Sequence, residues 1–329
     1  MKDASQIKME LSAKSGIVVI GELNVDLLAL GLSAAPRMGD EILAKDFQMV
    51  LGSASAIFAT GIRKLGHKVS FVSQVGADQI GDFCVRELRA AGVSTKHVSR
   101  RSDLKTGVTV SLSGARDRAL VTYLGAIADF SVERVPLAIL KNNDHLHMTS
   151  FFLQTGMRPS FARLFRAARD GGLTTSFDPN SDPSGKWSSD IRAVIDQTDV
   201  LFLNEREALR YTGATAVRSA AQKLGQQAKC AVIKLGKRGA VAVRDGKISS
   251  APAFKIEAVD TTGAGDSFDA GFISAFLNGS TIEDCLRIAN ACGAMSALKA
   301  GGTDGQPDKK SLAHFLRTQV TSNRRLTSE

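Results

Sequence analysis

Cysteine is scarce in this chain. Only Cys84, Cys230, Cys285 and Cys292 occur, none in a CxxC spacing. Each lies in an apolar segment, so they read as small buried hydrophobes in a reducing compartment. That excludes a disulfide scaffold and a zinc ribbon. His145 and His147 flank Leu146 in "DHLHMTSF" with no third His or Cys ligand nearby, and read as structural residues of a strand. Aromatics other than phenylalanine are few: one tryptophan and two tyrosines. The basic residues are scattered and not interleaved with aromatics, which argues against a nucleic-acid surface. No apolar run approaches a membrane span. The opening "MKDASQIKMELSAKSG" mixes charges and is not a signal peptide, so the cytoplasm is the expected compartment.

What the chain has is a basic surplus, a formal net charge of +9 over 329 residues. Such a surplus favours anionic ligands such as nucleotides, or serves solubility alone. Apolar strand-like runs alternate with helical patterns along most of the length. "GIVVIG", "KVSFVSQVG", "TTSFD", "DVLFLN" and "CAVIKLG" read as strands; "SAIFATGIRKLG", "IGDFCVRELRAAG", "EREALRYTG" and "STIEDCLRIANACGAMSALKAG" read as helices. This order predicts an α/β fold with a mostly parallel sheet covered on both faces. Two stretches, 41–52 and 106–125, are β-rich without helical spacing. They predict a small separate sheet, either a flap over a site or an edge hairpin without a role.

Residues 260–272 read "DTTGAGDSFDAGF". Gly263, Ala264 and Gly265 let the backbone approach an anion, and Phe268, Phe272, Ala275 and Phe276 then follow at helical spacing. The N–H groups at a helix start favour a phosphate. Asp266 beside such a site suits a base that takes a proton from an attacking hydroxyl; otherwise it caps the helix. Asp269, one turn on, reads as solvated or structural. No GxxxxGK[ST] occurs, and no GxGxxG follows the first strand, which excludes a Walker loop and weakens a dehydrogenase reading.

That segment resembles the C-terminal signature of the ribokinase-like, or PfkB, family of carbohydrate kinases. Further pieces fall in the family's order: "GELNVDLL", "LGSASAIFATGIRKLG", "VGADQIGD", "TGVTVSL", "FDPNSD", "NERE" and "IKLGKRGA". The resemblance spans roughly residues 16–320. It implies a three-layer αβα ribokinase-like domain over 16–320, with a small β-sheet lid from about 27–51 and 105–125. A flexible tail is expected at 1–15 and another at 321–329.

The resemblance also implies roles. ATP with Mg²⁺ would phosphorylate a sugar hydroxyl, with Asp266 as base and Gly263, Ala264 and Gly265 as anion hole. Asn24 and Asp26, with Gly52 and Ser53, would hold the sugar, although Asn and Asp after a strand also suit a turn. Asn204 and Glu207 match a pattern that organises Mg²⁺ and phosphate, Glu207 indirectly; the same spacing is a helix cap. Lys234, Gly236 and Gly239 match the stretch that contacts the nucleotide. Asn290 would border the adenine, or else lie on an exposed helix face. Asp260 and Thr262 match positions that bind a monovalent cation, so K⁺ is a further expected cofactor.

Departures from the pattern bear on the substrate. Ile57 replaces a frequent Asn of the sugar loop, which makes the pocket more apolar and counts against ribose. Asp182, with the nearest cation at Lys186, stands where an Arg often follows "DPN", and argues against an acidic or phosphorylated sugar. Gln154 lies where some relatives carry an acidic ligand. The readings kept beside a sugar kinase are a nucleoside kinase and a non-catalytic sugar sensor. A homodimer through the lid is a further expectation.

Overall fold

The computed structural model describes residues 16–114 and 118–326. The strands of the first half are β1 (Gly16–Ile20), β2 (Asn24–Leu32), β3 (Asp46–Leu51), β4 (Lys68–Gly76), β5 (Ser94–Arg101), β6 (Gly107–Gly114) and β7 (Arg118–Tyr123). Those of the second are β8 (His145–Thr149), β9 (Thr174–Asp178), β10 (Val200–Asn204), β11 (Cys230–Lys234), β12 (Ala240–Arg244) and β13 (Lys247–Ala251). Helices α1 (Ala54–Lys64), α2 (Gln79–Ala90), α3 (Ala126–Asp129), α4 (Phe161–Asp170) and α5 (Asp190–Ile195) precede α6 (Glu205–Thr212), α7 (Val217–Gly225), α8 (Ala264–Leu277), α9 (Ile282–Ser296) and α10 (Lys309–Leu326).

Nine strands form one sheet in the order β13-β12-β11-β10-β9-β8-β1-β4-β5. All neighbours are parallel except β11–β12 and β12–β13. "IVVI" shows why: Val18 and Ile20 enter one core with α4, α5 and α7, while Ile17 and Val19 enter a second with α1, α2, α8 and α9. Successive strand residues point to opposite faces, so a continuous apolar run fits only a sheet covered twice. This is the expected three-layer α/β architecture.

The other four strands form the separate small sheet, ordered β3-β2-β6-β7. It begins at Asn24, three residues before the expected 27, because the chain after β1 enters a strand and not a turn. β2 pairs with β6 in parallel and with β3 in antiparallel fashion. At the other end, residues 321–326, expected as tail, continue α10. The tails expected at 1–15 and 327–329 lie outside the described residues.

Strand order reverses between β1 and β8. Successive strands run one way from β8 to β11, and β4 and β5 lie on the other side of β1. Crevices outside the carboxyl ends of strands at such a switch point are where open α/β sheets bind ligands.

Candidate active site

Glu22 leaves the carboxyl end of β1 at that reversal and is buried. Its carboxylate accepts hydrogen bonds from Ser55 Oγ at 2.8 Å, Ser55 N at 3.1 Å, Ser150 Oγ at 3.0 Å and Gln154 Nε2 at 3.3 Å. One side chain thus joins the loop after β1, the start of α1 and the end of β8. Ser53 Oγ donates to Glu22 O at 2.6 Å and accepts from Ala56 N, capping α1. Ser53, Ser150 and Asn180 hold positive φ without being glycine (71°, 53° and 54°). Backbone in that region costs of order 1–3 kcal/mol each and persists where surrounding bonds impose it. Here the bonds around Glu22, and those from Ser150 N and Oγ to Asn180 Oδ1, impose it.

Glu22, Ser53 and Ser150 border a cavity of about 220 Å³, lined also by Asn24, Asp26, Thr262, Gly263 and Asp266. Asn24 and Asp26 lie on β2, where Asn24 Nδ2 donates to Asp26 Oδ1 at 3.1 Å. Gly52 is required by space: a Cβ there would lie 2.3 Å from Asp26 Oδ1. Of the four expected sugar-side residues, Asn24, Asp26 and Ser53 line the cavity and Gly52 makes room for the Asp26 carboxylate.

Gly263 is the N-cap of α8 at φ 69°. A Cβ on it would also meet Gly302 Cα at 2.6 Å, so both conformation and packing demand glycine. Asp266 is therefore not the cap; it lies in the first turn and faces the cavity. Burial pushes its carboxyl up to about 7; Lys234 opposes this, and Asp178 and Glu22 add to it. Behind the turn, Gln306 Nε2 donates to Ile57 O at 2.8 Å and to Ser267 Oγ at 2.9 Å, clamping α8 to α1.

Beneath the turn lies a charge cluster. Lys234, at the end of β11, donates from Nζ to Asp178 Oδ2 at 2.6 Å and to both Asp269 oxygens at 3.1 Å. A Cβ on Gly265 would lie 3.3 Å from the same Nζ. Carboxylate oxygens of Asp178, Asp266 and Asp269 lie within 4.8 Å of one another. So many carboxylates need a cation, and Lys234 supplies it. Burial alone would lower the lysine's pKa, but Asp178, Asp269 and Asp266 outweigh it and hold the ammonium charged, above its ordinary value. Asp269 is buried and structural, and not solvated.

The expected nucleotide-side residues sit farther along the same strand edge. Asn204 and Glu207 form a reciprocal capping box on α6. Glu207 is buried, and its two oxygens accept from Asn204 N and Ser181 Oγ at 2.8 and 2.9 Å. Burial first, then Asp178, raises its carboxyl pKa. Gly236 opens the short turn into β12, and Gly239 closes it at φ 96° with its Cβ position 2.1 Å from Ala251 O. Asn290 is buried and not on an exposed helix face; its amide donates to Ala251 O and Pro252 O, both at 3.1 Å. Asp260 accepts from Thr262 N and Oγ1 and from Gly301 N. His145 and His147 are buried on β8, each bonded to Ser176 Oγ at 2.7 Å. The four cysteines are buried free thiols.

Glu22 and Asp178 were not singled out from the sequence, and Asp269 was read only as solvated or structural. Glu22 and Asp178 each carried a signal: a lone carboxylate that follows or ends a buried strand at the edge where ligands bind. Asp269 had a weaker one, a charge on a helix apolar all round.

The likeness to known proteins is extensive. Residues 14–309 match the model of the pfkB family carbohydrate kinase. The 2-dehydro-3-deoxygluconokinase of Bacillus subtilis (strain 168) is 31% identical over 291 residues, covering 84% of this chain and 89% of that one. The ribokinase of Haemophilus influenzae is 26% identical over 309 residues, covering 91% and 98% respectively. The solved structure of Arabidopsis thaliana ribokinase complexed with ribose and ATP matches with a TM-score of 0.80 at 25% identity, covering 93% of this chain and 99% of that one. With the family spanning nearly its whole length, the chain belongs to the pfkB family of carbohydrate kinases, phosphotransferases that act on sugar hydroxyls.

Proposed function

We propose that the protein transfers the γ-phosphoryl group of ATP to a hydroxyl of a small sugar, with Asp266 as general base. The observation that carries this reading is the position of Asp266. Its carboxyl, pushed up to about 7, shares one cavity with Glu22, Asn24 and Asp26, in the turn after Gly263. A base with a pKa near the working pH accepts a proton well and is still ionised in about half of the molecules. Asn24 and Asp26 position the sugar, and Glu22 fixes Ser53 and Ser150 around it. The N–H groups of Gly263, Ala264 and Gly265 suit a cradle for developing negative charge, because no side chain larger than a methyl blocks the approach.

ATP, when bound, supplies the phosphoryl group, and Mg²⁺ offsets its charge. Asn204, Gly236, Gly239 and Asn290 are assigned to the nucleotide side. Both Glu207 oxygens already hold protein hydrogen bonds, so Glu207 fits an indirect role, through water, in holding Mg²⁺. Asp260 and Thr262 are assigned to a monovalent cation, tested by adding K⁺. The small sheet acts as a lid that excludes water from the transfer. The cytoplasm fits the buried thiols, whose pKa values burial pushes up to about 12.

The test is ADP release from Mg-ATP across sugars and nucleosides, with Asp266→Asn alongside. Stimulation lost in the variant is expected; stimulation that persists in it overturns the role of Asp266. A nucleoside is the second reading, favoured by the apolar Ile57, Leu120, Ile127 and Leu153 around the cavity. The volume of about 220 Å³ favours the smaller sugar. A sugar sensor that binds without releasing ADP is the third.

Phe47, Met49, Val121 and Tyr123 leave the outer face of the small sheet with exposed apolar side chains. These suit pairing of two lids in a homodimer. Sizing chromatography with only a species near 34.9 kDa overturns that assembly.

A further inference from the structure

Asp178 ends β9, and the three residues after it run between the two halves of the site. Asp178 holds Lys234 through Oδ2 at 2.6 Å and accepts from Asn180 N through Oδ1 at 3.0 Å. Backbone bonds from Ser150 N to Asp178 O at 3.1 Å and from Phe151 N to Pro179 O at 3.2 Å fasten this segment to the end of β8. Two neighbouring side chains then reach different walls. Asn180 Oδ1 accepts from Ser150 N and Oγ at 3.0 and 2.9 Å, on the side assigned to the sugar. Ser181 Oγ donates to Glu207 Oε1 at 2.9 Å, on the side assigned to the nucleotide.

Ser150 makes the sugar end of this connection responsive to a ligand. It lines the cavity, and its hydroxyl has one proton for two acceptors, Glu22 Oε1 at 3.0 Å and Asn180 Oδ1 at 2.9 Å. A sugar hydroxyl that donates to Glu22 leaves that proton to Asn180; one that accepts the proton takes it from both. Ser150 and Asn180 each hold positive φ, a conformation that lasts while such bonds impose it. At the other end, Oε1 of the buried Glu207 has Ser181 and Oε2 has Asn204 N, so Ser181 fixes one arm of that carboxylate. The loop is stiff enough to pass a shift on. Asp182 accepts from Trp187 N at 2.8 Å, and the Trp187 ring lies 5.3 Å from that of Phe152 and 5.8 Å from that of Tyr211, one turn after Glu207 on α6.

We propose that Asn180 and Ser181 are positioning residues that couple the two substrates: a sugar held at Ser150 and Glu22 sets Glu207 for the Mg-nucleotide, and the nucleotide in turn tightens the sugar. The proposal rests on the kinase reading above and adds a link between its two halves. The coupling factor is the same in both directions, and about tenfold is expected.

The experiment starts from ADP release by the full chain with Mg-ATP, which selects the best substrate among fructose, ribose, tagatose, glucose and 2-dehydro-3-deoxygluconate. Calorimetry then gives the Kd of that sugar without and with a non-hydrolysable ATP analogue and Mg²⁺. The parent's ratio of the two Kd values is expected to be about ten. Ser181→Ala removes the bond to Glu207. Asn180→Gly removes the bonds to Ser150 and keeps a residue suited to positive φ. Each is expected to lower the ratio by at least about threefold, whatever it does to either Kd alone. A parent ratio below about three, or a smaller fall in both folded variants, overturns the coupling and leaves the kinase reading intact. A fall in only one of them overturns the role of the other residue. ADP release with no sugar on the panel overturns the kinase reading itself, and the coupling with it.

Discussion

The charge cluster under the α8 turn and the small sheet across the cavity differ in what surrounds them. Asp178 and Asp269 have side chains 1% exposed, and each is bonded to Lys234. On β7, by contrast, Val121 and Tyr123 are 61% and 55% exposed. Charge on the one side is fixed by the core of the nine-stranded sheet. On the other, a thin layer presents one face to the cavity and leaves the other uncovered. The proposed base thus stands against the core of the domain, whereas the wall that the small sheet gives the cavity can change at little cost to the fold.

Four substitutions probe that contrast, beginning with the largest effect. Asp266→Asn is expected to lower kcat by about 10²–10⁴-fold in ADP-release assays. Its melting temperature at pH 8 should equal or exceed that of the parent. The folded pKa of about 7 exceeds the ordinary 3.8, so this group makes stability fall as pH rises from about 4 to about 7, and the amide removes that cost. In the parent, kcat/KM should rise through about pH 7 as the base ionises.

Lys234→Met leaves Asp178 and Asp269 buried without their cation. A loss of about 3–5 kcal/mol is expected in urea unfolding at neutral pH. Lys234 lowers the pKa of Asp266, so the acidic limb of kcat/KM should also move to higher pH. An unmoved limb would detach the lysine from the base.

Gly271→Ala tests the packing beneath the site. The added Cβ would lie 2.8 Å from Cys292 Sγ and 3.1 Å from Ala289 Cα, where α8 and α9 meet. Overpacking there should cost about 1–3 kcal/mol, read by thermal or urea unfolding. Val121→Ser, on the uncovered face of the small sheet, should change stability by less than about 0.5 kcal/mol. Its effect should appear only as weaker self-association in sizing chromatography. A large loss of stability there would erase the contrast between the two regions.

Sequence reasoning reached the layers and the turn because both are local. Ile17 to Ile20 alternate between two cores, and an apolar run without a polar face reports that directly. Gly263 and Gly265 announce a backbone that must come close to something. The partners of Lys234 were not legible, since Asp178 and Asp269 lie 56 and 35 positions away in the chain. No local pattern distinguishes a lysine aimed at a ligand from one held between buried carboxylates. Asn24 and Asp26 look like turn residues because their polarity does; a second sheet waiting beside β1 makes them a strand. Asn290 reads as surface until the end of β13 is found against α9.

The Gln306 clamp has a consequence for how the molecule comes into being. It joins residues 249 positions apart, so the closure it makes is among the longest the chain contains. Domains emerge N-terminus first during synthesis, and distant contacts form late. The strands and the small sheet can therefore be assembled while the segment carrying Asp266 still lacks its anchor on α1. On refolding, far-ultraviolet circular dichroism should return before phosphoryl transfer does, and the lag between the two signals measures the closing of that late, long loop.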